Sequence, residues 1–450
     1  MSDIIRIRKG LDIKLKGRAE KKLLNADRPA FCALKPIDFN GLFPKLTIKP
    51  GDQVKVGSVL YFDKYHPEIK FTSPVTGEIA EIRRGERRII EDVVIKVSDK
   101  EEYIEYKPGN YSDISKDEIA RILLESGMWP LIRQRPYSII ARPGDKPKAI
   151  FISGFDSSPL SPDIDFIISD RANEFQTGID ILAKLTGAII HLSVDASNPI
   201  GKTYSEAKRV KLHKFRGPHP AGNVGVQIHH IDPLNKGEII WYVKPQDVIR
   251  IGYLFLNGRI DNTMEIAMTG SEVTKPVYYK TLRGASVAPM VIGKITSGDN
   301  RIISGNVLTG TKISKDGFLG YYDNQITVIP EGNYHEFLGW ALPGFKKFSF
   351  YRSFLSWLNP SEEYVLDTNL HGGERAFVLT GQYEQVIPMD IYPMQLLKSI
   401  MYEDIDQMEQ LGIYEVAEED FALAEYICPS KTEMQVLIRH GLDLIRKEME

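Results

Sequence analysis

The residues best suited to chemistry are a histidine pair, a lone cysteine and a glycine-rich loop. His229 and His230 are followed by Asp232, three groups able to ligate a metal ion. On a strand, adjacent side chains point to opposite faces, so both imidazoles cannot reach one ion without a bulge. A structural role is therefore expected for them. Cys428-Pro429 matches the last pair of an iron–sulfur ligand run, C-x2-C-x2-C-x3-C-P. The other ligand positions of that run fall on Ala424, Phe421 and Glu418, none of which is a thiolate. A single buried cysteine ahead of a helix is the competing reading. Gly217 to Gly225 holds the densest glycine cluster, but its prolines favour a loop over a helix entry, and no G-x-G-x-x-G follows a strand. His371-Gly-Gly-Glu374 has the composition of an oxyanion-hole turn, yet no G-x-S-x-G accompanies it. H-E-x-x-H and Walker A sequences are absent. No catalytic, cofactor-binding or metal-ligating residue is assigned on these patterns.

A second chemical candidate lies nearer the N-terminus. Residues 49–57 read Lys-Pro-Gly-Asp-Gln-Val-Lys-Val-Gly, followed by an apolar strand, Asp63-Lys64 and Ser73-Pro-Val-Thr-Gly77. Two Pro/Gly turns between short strands predict a β sandwich. The order resembles a lipoyl or biotinyl carrier domain, in which the lysine of an Asp-Lys turn bears a cofactor on a swinging arm. Lys64 stands ten residues before Pro74, with Pro67 between them, a longer hairpin than that pattern has. A modified lysine needs a tight exposed turn. The expectation is a sandwich scaffold in which Lys64 is an ordinary surface lysine.

The bulk composition limits the setting. A chain of 450 residues with 42% hydrophobic and 26% charged residues is too long for one core, and three or four domains are expected. No run of 18 apolar residues predicts a transmembrane helix, and the polar, basic N-terminus predicts no secretory signal. Two cysteines, Cys32 and Cys428, cannot build a disulfide framework or a four-thiolate site, which fits a reducing cytoplasm. Residues 1–100 carry 21 Lys/Arg against 14 Asp/Glu, and residues 401–450 carry 4 against 13. Such opposite ends are usually solvated faces; a sharper reading gives the basic end an anionic lipid surface or an acidic partner. No dense basic stripe with interleaved aromatics is present, which argues against nucleic acid.

These residues must be positioned by several kinds of element. Residues 1–105 read as a β-rich barrel-sandwich domain. Residues 106–255 alternate: a helix at 117–127, strands at 148–155, 188–194 and 239–243, and helices at 173–185, 203–210 and 246–255. That alternation predicts an α/β layer with a parallel sheet. Residues 256–330 return to short strands and Gly turns, a small β-grasp-like module. Residues 331–394 are irregular and aromatic-rich, and their aromatics, Trp340 and Trp357 among them, are expected in a packed inter-domain seam. The tail, completing a 331–450 unit, predicts one amphipathic helix from Leu396 to Leu411 stopped by Gly412. A second follows, with a capping box at Ser430-Lys-Thr-Glu433.

Taken in order, the pieces resemble a known family. They are Ile7-Arg-Lys-Gly-Leu-Asp-Ile13, Phe39-Asn-Gly-Leu42, Lys70-Phe-Thr-Ser-Pro74, Arg84-Gly-Glu-Arg87, His219-Pro-Ala-Gly222, Ile228-His-His-Ile-Asp-Pro233 and Tyr426-Ile-Cys-Pro-Ser430. Together they span the chain. The architecture resembles the flavin- and iron–sulfur-bearing subunits of Rnf complexes and of respiratory complex I. More closely it resembles the NqrA-type subunits of sodium-translocating NADH:quinone oxidoreductases. That resemblance implies a multidomain α+β fold: a lipoyl-like barrel sandwich, a Rossmann-like layer lacking its nucleotide loop, an SLBB-type module and a helical domain with a vestigial iron–sulfur frame. It implies a peripheral translocase subunit on the cytoplasmic face of a bacterial inner membrane, partnered by membrane and flavin-bearing subunits of the NqrB to NqrF type. It also implies that this chain binds no cofactor itself. Where flavin-bearing relatives have a glycine loop, this chain has Trp129-Pro-Leu-Ile-Arg-Gln-Arg-Pro-Tyr137, whose bulk would fill the phosphate space. The resemblance implies a share in the quinone head-group site, with candidates Ile37, Asp38, Phe39, Arg133, Gln134, Arg135 and Tyr137. A quinone needs a flat apolar slot with donors to its two carbonyls. The competing roles for the chain are a soluble electron-transfer subunit that binds NADH itself, or a biotin or lipoyl carrier.

Overall fold

The computed structural model describes residues 4–106, 113–334, 336–378 and 380–449. The sandwich forms where the Pro/Gly turns place it. A four-stranded sheet (Phe31–Leu34, Ile90–Val97, Gly77–Arg84, Gln53–Val54) faces a three-stranded one (Pro44–Leu46, Val59–Asp63, Lys70–Thr72). Leu60, Tyr61, Phe71, Ile79, Val93 and Ile95 are buried between them. The Pro50-Gly51 turn closes with Asp52 accepting from the Lys49 amide at 2.9 Å. Lys64 opens the connection between the 59–63 and 70–72 strands, and its ammonium lies 5.5 Å from the Tyr65 ring centroid.

Residues 4–25 do not stay with the sandwich. Ile4–Arg6 joins the α/β sheet parallel to Lys211–Arg216, and Glu20–Asn25 joins the third domain's sheet parallel to Val277–Leu282. The N-terminal segment thus laces three domains together. Its strands are short, so the sequence shows β character but not the sheet that will pair with them.

The α/β domain holds a seven-stranded sheet ordered 4–6, 211–216, 189–195, 149–153, 240–242, 133–135, 139–140. The first five strands are parallel; the last two form an antiparallel margin. Its central strands, Ala149–Ser153 and Ile240–Tyr242, are almost wholly apolar, as burial on both faces requires, whereas Lys211–Arg216 and Arg133–Arg135 toward the two sides carry charges. Ala172–Thr186 and Pro245–Asn257 pack side by side, and Phe175, Ile179, Leu182 and Leu185 turn inward as the 3.6 period predicts. The helix expected at 203–210 shrinks to Lys202–Ser205.

The third domain is a six-stranded sheet, 311–313, 300–304, 325–330, 263–269, 277–282, 20–25. The tail differs from its sequence pattern in two places. The periodic stretch from Leu396 is two helices, Pro393–Met401 and Ile405–Gln410. Glu403 adopts a left-handed φ of 55°, and Asp404 caps the second helix by accepting from the Gln407 amide. An N-cap aspartate offers the backbone a start signal that apolar periodicity does not register. The capping box at Ser430 does not form either. Met434–Met449 starts later, Ser430 donates to the Ala376 carbonyl, and Glu425 instead accepts from the Gln435 amide.

The aromatic stretch is the largest departure. Phe337 is 89% exposed and Trp340 80%, and Phe345, Tyr351 and Trp357 are exposed as well. Among these aromatics only Phe348, Phe350 and Phe354 are partly sheltered, so the segment is not a buried seam.

Candidate functional site

The parallel sheet has one topological switch point. From Ala149–Ser153 the chain moves outward to 189–195 and 211–216, then returns to the other side of 149–153 as 240–242. Loops diverge above such a point and leave a crevice at the carboxyl ends of the strands. A cavity of about 160 Å3 lies there, walled by Ser153, Asp156, the 219–224 loop, Tyr242 to Asp247, Tyr321 to Gln325 and Glu419 of the helical tail.

Arg133 projects into it from the antiparallel margin, where it pairs with Tyr242. Its guanidinium lies 4.5 Å from the Tyr242 ring centroid and 4.4 Å from that of Tyr322. Packed against two rings, the guanidinium keeps its N–H groups for hydrogen bonding. The rings are fixed in turn: the Tyr322 hydroxyl donates to the Pro130 carbonyl at 2.7 Å, and the Tyr242 hydroxyl meets Ser138 Oγ at 2.9 Å. Lys244, at the mouth of the 245–257 helix, donates to the Tyr322 carbonyl at 2.7 Å. Burial lowers its ammonium pKa, and the Arg133 charge lowers it further.

The acidic groups of the wall each have a donor. Asp247 pairs with Arg250 at 2.7 Å, Asp323 accepts from Ser304 at 2.6 Å, and Asp156 accepts from the Ser158 amide at 2.7 Å. Glu419 pairs with Arg135 at 2.9 Å. Arg133 has no ion-pair partner among the described residues. The slot therefore offers aromatic walls with cationic hydrogen-bond donors, a chemistry suited to a flat ring bearing acceptor oxygens.

The seven sequence candidates separate. Arg133 alone lines the cavity. Gln134, one residue on, faces the other way and accepts from the Arg142 amide, as strand alternation requires. Arg135 returns to the first side but is taken up by Asp420 and Glu419. Tyr137 packs edge-on against Tyr414. Phe39 is buried and touches Tyr321 and Tyr322 edge-on at 4.6 and 5.7 Å, a second layer behind the slot. Asp38 accepts from the Tyr321 amide at 2.7 Å, while Ile37 is exposed. Lys244, Tyr242 and Tyr322 were missed. A lysine directly after a predicted parallel strand was the available signal, since strand carboxyl ends are where such crevices open.

Asp38 yields a pH prediction. Burial pushes its carboxyl up to about 6, against the opposing pull of Lys35 at 3.6 Å. The folded chain keeps this proton where the unfolded chain has lost it, so its contribution to stability falls as pH rises between about 4 and 6. Asp38→Asn is expected to flatten that window by on the order of 3 kcal/mol, read from urea unfolding at several pH values. An unchanged slope in the variant would remove Asp38 as its source.

The remaining motifs resolve structurally. His229 and His230 lie on a helix, Val224–Ile231, not a strand. His229 Nδ1 meets Glu415 at 2.9 Å, its Nε2 accepts from the Asp390 amide, and His230 meets the Val226 carbonyl. The Gly217 loop does enter a helix, despite its prolines, at Val224. Phe421 and Ala424 are buried apolar residues of the helical core, and Cys428 Sγ meets the Tyr383 hydroxyl at 3.2 Å. No cluster of three His, Cys, Asp or Glu suited to a metal occurs among the described residues.

Three family models match in chain order: the NqrA N-terminal barrel-sandwich hybrid domain at 5–98, the NqrA second alpha/beta domain at 114–260 and the NQRA C-terminal domain, of SLBB type, at 265–315. The NqrA of the Na(+)-translocating NADH-quinone reductase from Yersinia pestis bv. Antiqua is 38% identical over 448 residues, 99% of this chain and 100% of that protein. The chain belongs to the NqrA family. The NqrA of Neisseria meningitidis serogroup B is 39% identical over 449 residues, again 99% of this chain and the whole of its own length. Among solved structures, an NAD+-reducing NiFe-hydrogenase chain superposes with TM-score 0.40 and 10% identity over 75% of this chain and 67% of that one, too distant to bear on function. The NqrA family models thus account for the barrel sandwich, the α/β domain and the SLBB domain, and the full-length relatives extend the match through the helical tail. Among the described residues no helix is long and apolar enough to cross a membrane.

Proposed function

We propose that this NqrA-family chain is a peripheral component of a sodium-pumping NADH:quinone reductase. It docks on the cytoplasmic side of membrane subunits and carries no redox centre. The observation that carries this reading is identity of 38% along 99% of the chain and 100% of the relative. Its partners would be the membrane and flavin-bearing subunits of the same complex. The carrier alternative has little support: Lys64 stands at a broad connection and rests on Tyr65. The NADH-binding alternative must place a nucleotide where Trp129 and Arg135 are buried side chains.

Within this reading the quinone head group contacts the chain at the crevice, with Arg133 and Lys244 as donors and Tyr242 and Tyr322 as walls. Phe39 and Asp38 support the wall from behind; Ile37, Gln134, Arg135 and Tyr137 act, at most, through packing. Membranes from a strain lacking the chain should lose NADH:quinone reductase activity and regain it on complementation. Arg133→Gln should then raise the quinone KM by roughly tenfold with little change in kcat, as expected for loss of a charged hydrogen bond. Unchanged KM would move quinone to a different chain of the complex and leave the place of this one in the complex standing. Stoichiometric flavin, or tight NADH binding by the purified chain, would favour the electron-transfer alternative.

A further inference from the structure

We infer that the loop from Phe337 to Leu358 is an interfacial anchor that inserts aromatic side chains into the headgroup layer of an anionic bilayer. The inference rests on the peripheral reading proposed above and adds the surface and its chemistry. The segment contains eight aromatic residues and three cations, Lys346, Lys347 and Arg352, with no Asp or Glu. It is folded, not loose. Leu355 N donates to the Pro343 carbonyl at 2.8 Å, and Lys347 donates to the Gly339 carbonyl at 2.7 Å and pairs with Glu336. Phe348 is the inward root, edge-on to Tyr364 at 5.5 Å and tilted against Tyr426 at 6.1 Å. With that root fixed, Phe337, Trp340, Leu342, Phe345, Trp357 and Leu358 are left exposed.

So many large apolar side chains in one exposed stretch normally mark a binding surface. The composition selects among occupants. Tryptophan and phenylalanine interleaved with lysine and arginine are the residues of the membrane–water interface, where ring bodies bury and cations meet lipid phosphates. Lys346 is exposed, Arg352 lies over the Trp357 ring at 5.9 Å, and neither has a carboxylate partner among the described residues. The rest of the tail is acidic, with 4 Lys/Arg against 13 Asp/Glu over residues 401–450. An anionic surface repels those helices and attracts the loop, so charge alone orients the molecule loop-first.

The test uses the purified full chain with vesicles of phosphatidylcholine, alone or mixed with phosphatidylglycerol. Wild type should co-sediment with the anionic vesicles and show a blue shift in tryptophan emission. Phe337→Ser/Trp340→Ser should reduce partitioning by roughly tenfold or more. Lys346→Gln/Arg352→Gln should abolish the preference for phosphatidylglycerol. All four side chains are exposed, so thermal unfolding should be unchanged in both variants. Equal sedimentation of wild type and the aromatic variant, or none by either, would overturn the proposal. So would capture of wild type but not the variant by detergent-solubilised membrane subunits when vesicles bind neither, which assigns the loop to a protein partner. A self-associated dimer that the variant abolishes would overturn it as well. Failure of the underlying peripheral reading would show itself elsewhere, as retained quinone reductase activity in membranes lacking the chain.

Discussion

Replacing Arg135 with methionine is expected to destabilise the protein by roughly 3 to 5 kcal/mol, the cost of stranding a buried charge. Arg135 is fully buried and joins two domains. Its Nη1 donates to Asp420 Oδ2 at 2.7 Å and to the Glu415 carbonyl at 2.8 Å, and its Nη2 reaches Glu419 at 2.9 Å. Asp420 is 1% exposed and also accepts from the Ala417 amide, closing the start of Glu418–Ile427. Removing the guanidinium leaves this carboxylate buried without a cation. An exposed pair such as Lys55–Glu102, with side chains 56% and 54% exposed, is screened by water and should contribute little. Burial, not the presence of an ion pair, therefore decides the size.

The sign of a pH effect distinguishes this mechanism from simple loss of packing. Burial already raises the Asp420 pKa, and Arg135 holds it down. Without Arg135 the folded variant favours the protonated acid, which the unfolded chain does not at neutral pH. The stability gap between wild type and Arg135→Met should narrow as pH falls from 7 toward 5. Adding Asp420→Asn should restore much of the loss at neutral pH, because the stranded charge is gone. Urea unfolding of the two single variants and the double variant forms a cycle. A gap independent of pH, with additive losses, would mean that Arg135 acts as bulk alone.

Arg135 also shows what the sequence could and could not reveal. Its segment was readable as bulky residues in place of a glycine loop, but not as the strand Arg133–Arg135 that it forms. Its partner was not, because Asp420 lies 285 positions away and carries no motif. The same limit split the quinone candidates: adjacent residues were grouped by sequence proximity, whereas strand alternation sends Arg133 and Gln134 to opposite sides. Parallel strands were legible because burial on both faces leaves a continuous apolar run, and the helix at 173–185 because burial of one stripe writes a 3.6-residue period. The strands at 4–6 and 20–25 fall in a stretch read only as β-rich, and their pairing was not legible, since partners are set by tertiary contacts. The aromatic loop failed for a different reason. Aromatic content signals apolar area, and the sequence does not say whether that area is covered within the chain. The histidine pair shows that periodicity can be misassigned outright: eight residues of Val224–Ile231 are apolar enough for either element, and the loop before them carries the prolines.

Gly252→Val is expected to be strongly destabilising, although the residue is small and lies mid-helix. In an exposed helix, replacing glycine by a residue with a side chain usually stabilises, by about 1 kcal/mol for alanine. Here the backbones of Ala172–Thr186 and Pro245–Asn257 meet through glycine. A Cβ on Gly252 would fall 1.8 Å from the Glu174 carbonyl oxygen and 2.8 Å from the Gly178 nitrogen. Reciprocally, a Cβ on Gly178 would fall 2.0 Å from the Val248 carbonyl oxygen. These are backbone atoms, which cannot rotate away, so the helices must separate. Alanine should cost roughly 2 to 3 kcal/mol and valine more, opposite in sign to the propensity gain. The displacement also reaches the crevice, because Lys244 is the residue that opens the 245–257 helix. Thermal unfolding of Gly252→Ala and Gly252→Val would show the order wild type, alanine, valine. An alanine variant as stable as wild type would mean that the helices have room to part, and that their close approach contributes little to holding Lys244 beside Arg133.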